Sequence, residues 1–184
     1  MRRLTLTLLL MWGAPAWAAT ENRIDPDSGL VTWQTEQQGI QIRLTQISPD
    51  QARAFYLARG FSAPATEHYV AECVFMTVVR NIGEAPIRHR LADWRYTVAG
   101  EAPRALRSKS DWAALWQKLD VDEPARIAFA WAQFPAAQTF AAGDWNQGMT
   151  TYRVARDQPF DLRVRWQAGG RKHAATLTNL RCAQ

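Results

Sequence analysis

The chain has 184 residues, 47% of them hydrophobic, a formal net charge of +5 and two cysteines. That length fits one domain with room for a real core, and the charge falls short of the concentrated basic patch of a nucleic-acid-binding domain, so no nucleic-acid partner is expected. Two cysteines without a C-x-x-C spacing exclude a thioredoxin-type exchange site and covalent haem attachment.

At the N-terminus, Arg2 and Arg3 precede an apolar run from Leu4 to Trp12, closed by Ala16-Trp17-Ala18. A basic start, a short apolar core and small residues at the cleavage position predict a secretory signal peptide over residues 1–18. The run is far below the roughly 20 residues needed to cross a bilayer, and no later stretch reaches that length. The expectation is a soluble protein with no membrane span, in the periplasm or secreted. Without Arg2 and Arg3 the 22 basic residues become 20 against 17 acidic ones, a mild excess. In an oxidising compartment Cys73 and Cys182 are expected to form a structural disulfide, worth roughly 4–5 kcal/mol for a loop of about 110 residues.

Residues 19–29, with Asp25-Pro26-Asp27-Ser28-Gly29, read as a turn-rich N-terminal extension, and residues 30–184 as a single domain. From Leu30 the pattern alternates: Val31 and Trp33, then Ile40, Ile42 and Leu44 against Gln41, Arg43 and Thr45, as in strands with one buried face. Ser48-Pro49-Asp50-Gln51 supplies an N-cap, a first-turn proline and a capping-box glutamine, and Gly60 a stop, which predicts a short helix from about Pro49 to Arg59. From His68 to Asn81 both alternating sets are apolar, so the segment is predicted as a central strand covered on both faces. Asn81 to Pro86 forms the following turn, and a strand with Trp94, Tyr96 and Val98 on one face is predicted from Ile87 to Val98.

The strand, turn and strand of residues 74–98, with Val78-Val79-Arg80-Asn81-Ile82-Gly83 at the bend, resembles the strand pairs of bacterial exported immunoglobulin-like sandwiches. That resemblance implies fold alone. Beyond it, Ser110-Asp111 opens a helix with Trp112, Leu115, Trp116 and Leu119 on one stripe, predicted to dock on the second apolar face of the His68–Asn81 strand. Ile127, Phe129 and Trp131 alternate as in a strand, although the alanines between them also suit a helix. Pro135 and the stretch from Ala142 to Gly148 read as a long loop. Strands are predicted over Met149–Ala155 and Phe160–Gln167, then a Gly169-Gly170 hairpin and a last strand to about Thr178. Pairing Ala168 with Arg171 puts Leu162, Val164 and Trp166 on the face of Leu177, Ala175 and His173, and turns Arg163, Arg165 and Lys172 outward. The fold expected is mainly β: one antiparallel, immunoglobulin-like sandwich with two short helices.

No Gly-x-Ser-x-Gly or His-Glu-x-x-His motif occurs, so the chain carries no recognisable hydrolytic signature. Three sets of residues stand out. Asp144, Trp145 and Asn146 place an indole between turn glycines, a surface suited to partner contact. Arg163, Arg165 and Lys172 set three cations on one hairpin face, suited to an anionic group. His68, Met76, His89 and Met149 would be the soft and imidazole donors of a copper site, although residues four apart on one strand lie about 13 Å apart and a site would need neighbouring strands. The function expected is a non-enzymatic exported binding or accessory protein, without cofactor, acting through surface loops on another exported or envelope protein. The alternative is a periplasmic copper-handling factor.

Overall fold

The computed structural model describes residues 20–184, and the export signal expected over residues 1–18 lies outside them. In chain order the elements are β1 (Glu21–Ile24), β2 (Val31–Gln37), β3 (Ile40–Ile47), α1 (Pro49–Leu57), α2 (Ala63–Val70), β4 (Cys73–Asn81), β5 (Ile87–Arg90), β6 (Arg95–Val98) and β7 (Arg104–Ala105). There follow α3 (Lys109–Lys118), α4 (Glu123–Ala132), β8 (Ala137–Phe140), β9 (Trp145–Tyr152), β10 (Phe160–Ala168) and β11 (Arg171–Leu180). They form a five-stranded antiparallel sheet in the order β1-β2-β3-β4-β9, and a six-stranded one in the order β7-β6-β10-β5-β8 with β11 along the other edge of β10. Among the described residues no helix is long and apolar enough to cross a membrane.

The two sheets share one apolar core. Phe75 of β4 and Tyr152 of β9 meet Phe160 of β10 edge-on and tilted, at ring-centroid distances of 6.0 and 4.9 Å. A second cluster fills the space between the outer face of the first sheet and the helices. β4 serves both: Cys73, Phe75 and Val79 point between the sheets, and Val74 and Met76 point to the helices. A strand apolar on both faces is thus covered on both. The Trp helix docks where its stripe predicts. Trp112 and Trp116 stack at 4.9 Å beneath Phe129, and the Trp112 indole donates to Thr151 Oγ1 of β9 at 3.2 Å. The expected link between Cys73 and Cys182 is present, with Cα atoms 5.1 Å apart, and it joins β4 of the first sheet to the segment leaving β11 of the second.

Several boundaries differ from expectation. Among the described residues the helices number four, not two. The segment read as one strand from His68 is helical to Val70 and extended only from Cys73. Ser62 caps that helix by accepting from the Ala65 amide, and Pro64 stands in its first turn, the same signal that opens α1 at Ser48-Pro49. α4 occupies residues read as alternating. Phe129 is buried in it, and Ile127 and Trp131, four residues apart, face outward at 52% and 85% exposure. α3 is capped by Ser108, whose hydroxyl accepts from the Asp111 amide, instead of by Ser110. Within the segment expected as an N-terminal extension, β1 pairs with β2. The loop expected before Met149 holds β8 and the first residues of β9, and Gly148 leaves no room for a Cβ against the Phe134 backbone.

The expected strand Ile87–Val98 is broken once. His89 pairs with Trp166 and Arg95 with Arg163, six steps on one strand against three on the other, so three extra residues are extruded as the 3-10 turn Leu91–Asp93. An odd excess reverses the alternation of faces. Ile87 and His89 therefore point inward before the turn, and Trp94, Tyr96 and Val98 after it.

Candidate functional site

The outward face of the second sheet is where basic side chains gather. The hairpin β10–β11 takes the expected register: Ala168 pairs with Arg171, Trp166 with His173 and Leu162 with Leu177. Gly169 and Gly170 both take positive φ, 54° and 74°, which their missing Cβ allows at little cost and which a two-residue hairpin turn requires. Leu162, Val164 and Trp166 are consequently buried, and Arg163, Arg165 and Lys172 are exposed.

β5 completes the surface. Arg88 pairs with Gln167, which on its other side pairs with Lys172, so Arg88, Gln167 and Lys172 form one row across three strands. One step along, Arg90 follows Arg88 on the same face and Arg165 lies on β10 beside Ala174. A step further, Arg163 pairs with both Arg95 of β6 and Thr176 of β11. Successive rows are two residues apart, about 6.6–6.8 Å. The 3-10 turn rises beside them and with these strands bounds a groove of about 710 Å³, lined by Arg88, Arg90, Asp93, Arg163, Arg165 and Lys172 among others. That volume lies within the roughly 300–1,000 Å³ of small-ligand sites.

Counter-charge is sparse. Asp93 stands 3.7 Å from Arg90, both side chains being half exposed, a contact of little energy in water. Asp161, at the far end of the same face, accepts from the Asn179 amide at 2.9 Å. Arg95 donates to the carbonyls of Ala92 and Trp94 at 2.6 and 2.7 Å and so braces the 3-10 turn. Among the described residues, Arg88, Arg163, Arg165 and Lys172 have no carboxylate within 4.0 Å. Some arginines elsewhere are paired: Arg107 and Arg153 converge on the buried Glu72 at 2.7 and 3.2 Å, and Arg53 holds Glu67 at 2.7 Å.

At the groove's rim His173 is half-buried and stacks on Trp166 at 5.7 Å. Its Nδ1 meets the Gln38 side chain and its Nε2 lies 3.4 Å from the Ala168 carbonyl oxygen. Both nitrogens thus have partners within the fold.

The loop candidates separate. Asp144 closes its own turn, its carboxylate accepting from the Ala141 amide at 2.8 Å. Asn146 donates to Gln138 at 2.7 Å, from the side of β9 that faces the second sheet. Trp145 is 56% exposed and pairs with Arg80 on the opposite, helix-bearing side. Asp144, Trp145 and Asn146 therefore do not form one surface.

The four candidate metal ligands also lie apart. His68 is exposed on α2, whereas Met76 and Met149 are cross-strand partners beneath the helices. Met149 Sδ accepts from the Tyr56 hydroxyl at 3.4 Å. His89 lies between the sheets, 5.2 to 5.8 Å from the rings of Trp94, Phe134 and Phe140, and burial pushes its imidazole down to about 4. Only the two methionines are brought together.

Arg88, Arg90 and Arg95 are the site residues that sequence reasoning missed. Read as one unbroken strand, Ile87–Val98 puts Arg88 and Arg90 on the face of Trp94, Tyr96 and Val98; the 3-10 turn reverses the alternation and leaves Arg88, Arg90 and Arg95 all outward. What no local pattern reveals is that β5 and β6 lie end to end along β10. No family model, curated protein or solved structure matches the chain.

Proposed function

We propose that the protein is an exported, soluble, non-enzymatic binding module that receives an anionic ligand in the groove on the outer face of its second sheet, as an accessory to another exported or envelope protein. The observation that carries this reading is the set of four cations, Arg88, Arg163, Arg165 and Lys172, gathered on one rigid face without carboxylate partners among the described residues. A guanidinium whose charge is not already paired can meet a carboxylate or phosphate with two parallel hydrogen bonds. The groove replaces the Trp145 loop as the contact surface, because Asp144 closes its own turn and Asn146 is bonded to Gln138 of β8. Export is supported by the basic and apolar pattern of residues 1–18 and by the Cys73–Cys182 bond, which an oxidising compartment favours. The immunoglobulin-like style of sandwich is supported by the chain's three passages between sheets, from β4 to β5, β8 to β9 and β9 to β10.

Titration with inorganic polyphosphate tests this reading. The wild type binds, and the double variant Arg163→Glu/Arg165→Glu binds at least tenfold more weakly with an unchanged circular-dichroism spectrum. Equal binding by the two proteins contradicts the groove as the site.

A further inference from the structure

We infer that the anionic ligand is an extended acidic segment of a partner polypeptide, with carboxylates at alternate residues, lying along β10. This rests on the basic-groove reading above and names the class of partner it takes.

Three observations point there. The first is period. Arg163 and Arg165 stand two residues apart on β10, and Arg88 and Arg90 two apart on β5, so each column of cations repeats at the two-residue rise of a strand, about 6.6–6.8 Å. An extended peptide presents every second side chain on one face at the same interval. Glutamates at alternate positions can therefore each meet an arginine without stretching or slipping.

The second is extent. From the row of Arg88 to the row of Arg163 and Arg95 the cations span two such steps, about 13 Å. A single tetrahedral anion reaches one row, and a chain of spaced charges is needed to use them all.

The third is what the groove lacks. Single-stranded nucleic acids are held by aromatic faces on which bases stack, as well as by cations. Here the Trp166 ring lies inside the sheet at 3% exposure, with His173 stacked upon it. The remaining groove residues present guanidinium and ammonium groups, the Gln167 amide, the Asp93 carboxylate and the Ala174 methyl. Those groups suit carboxylates and peptide carbonyls. Asp93 beside Arg90 supplies a repulsive point flanking the middle row, which disfavours a carboxylate on that side and helps set the register of the bound chain.

The test compares two synthetic octapeptides of the same composition, one alternating glutamate and threonine and one with four glutamates followed by four threonines, with inorganic polyphosphate as a third probe. The alternating peptide is expected to bind the wild type at least tenfold more tightly than the grouped one. Arg163→Glu/Arg165→Glu is expected to abolish that difference, and Asp93→Asn to reduce it by admitting carboxylates beside Arg90, where Asp93 now repels them. A difference below tenfold between the peptides overturns the inference. If polyphosphate or either peptide still binds in a manner lost on Arg163→Glu/Arg165→Glu, the groove remains an anion site and only the alternating segment is wrong. If none of the three binds, both readings fall.

Discussion

His89 is the residue whose burial has the clearest consequence in solution. It sits at 1% exposure among Trp94, Phe134 and Phe140, and neither ring nitrogen has a hydrogen-bond partner among the described residues. Desolvation disfavours the imidazolium and lowers the folded value to about 4 from 6.5. Between those values the unfolded chain carries a proton that the folded chain refuses. Stability is therefore fully present above about pH 6.5 and is lost as pH falls toward about 4, by a total of about 3 kcal/mol. The urea midpoint of the wild type should fall across that window, and that of His89→Phe should be flatter. A wild-type midpoint constant between those pH values would show that the imidazole is not shielded as described. The arginines of the groove stand one residue away on either side of it, so β5 carries a neutral apolar face inward and a cationic face outward.

At the scale of elements, the cross-link between Cys73 and Cys182 ties the two sheets at one end, across a sequence separation of 109 residues. The chain-entropy account gives such a closure about 4–5 kcal/mol, a large share of a typical net stability of roughly 5–15 kcal/mol. Replacing both cysteines by alanine should lower the guanidinium midpoint of the oxidised protein by the equivalent of several kcal/mol. Reduction should do the same to the wild type and leave the variant unmoved. A midpoint insensitive to reductant would contradict the stapling role.

The elements that a linear reading finds are those whose signals are local. The cap at Ser48, the indole stripe of α3 and the Gly169-Gly170 hairpin are each written within about a dozen residues, and each lies where expected. One helix escaped and another was left open between strand and helix, for physical reasons. α2 runs into β4 through Ala71 and Glu72, so its last apolar residues continue the alternation of the strand and hide the boundary. α4 turns Ile127 and Trp131 outward, an arrangement that mimics a strand's spacing and defeats a search for a buried stripe. The 3-10 turn escaped because only pairing with β10 reveals the extra residues. The candidate site divides in the same way. Arg163, Arg165 and Lys172 could be read outward from one hairpin, whereas Arg88, Arg90 and Arg95 join them through a partner strand more than sixty residues away in sequence.

Taken whole, the molecule has two unlike sides. The first sheet is backed by four helices around an aromatic cluster of Tyr56, Tyr69, Trp112, Trp116 and Phe129, and the outer face of the second sheet carries the basic groove. With a net charge of +5 spread over 184 residues, the distinguishing feature is the local concentration of cations, not the overall excess. A field of this kind is screened beyond a Debye length of about 8 Å at physiological ionic strength. It acts on a ligand in or at the mouth of the groove and scarcely on one at a distance. The most direct measurement is the affinity for inorganic polyphosphate as a function of salt, in the wild type and in single substitutions of Arg88, Arg163 and Arg165 to glutamine. Log affinity should fall linearly with log salt, and each substitution should reduce the slope by about one, in proportion to the charge removed from the contact. A slope that none of the three substitutions changes, or a wild-type affinity indifferent to salt, would contradict the basic groove as the working surface of this protein.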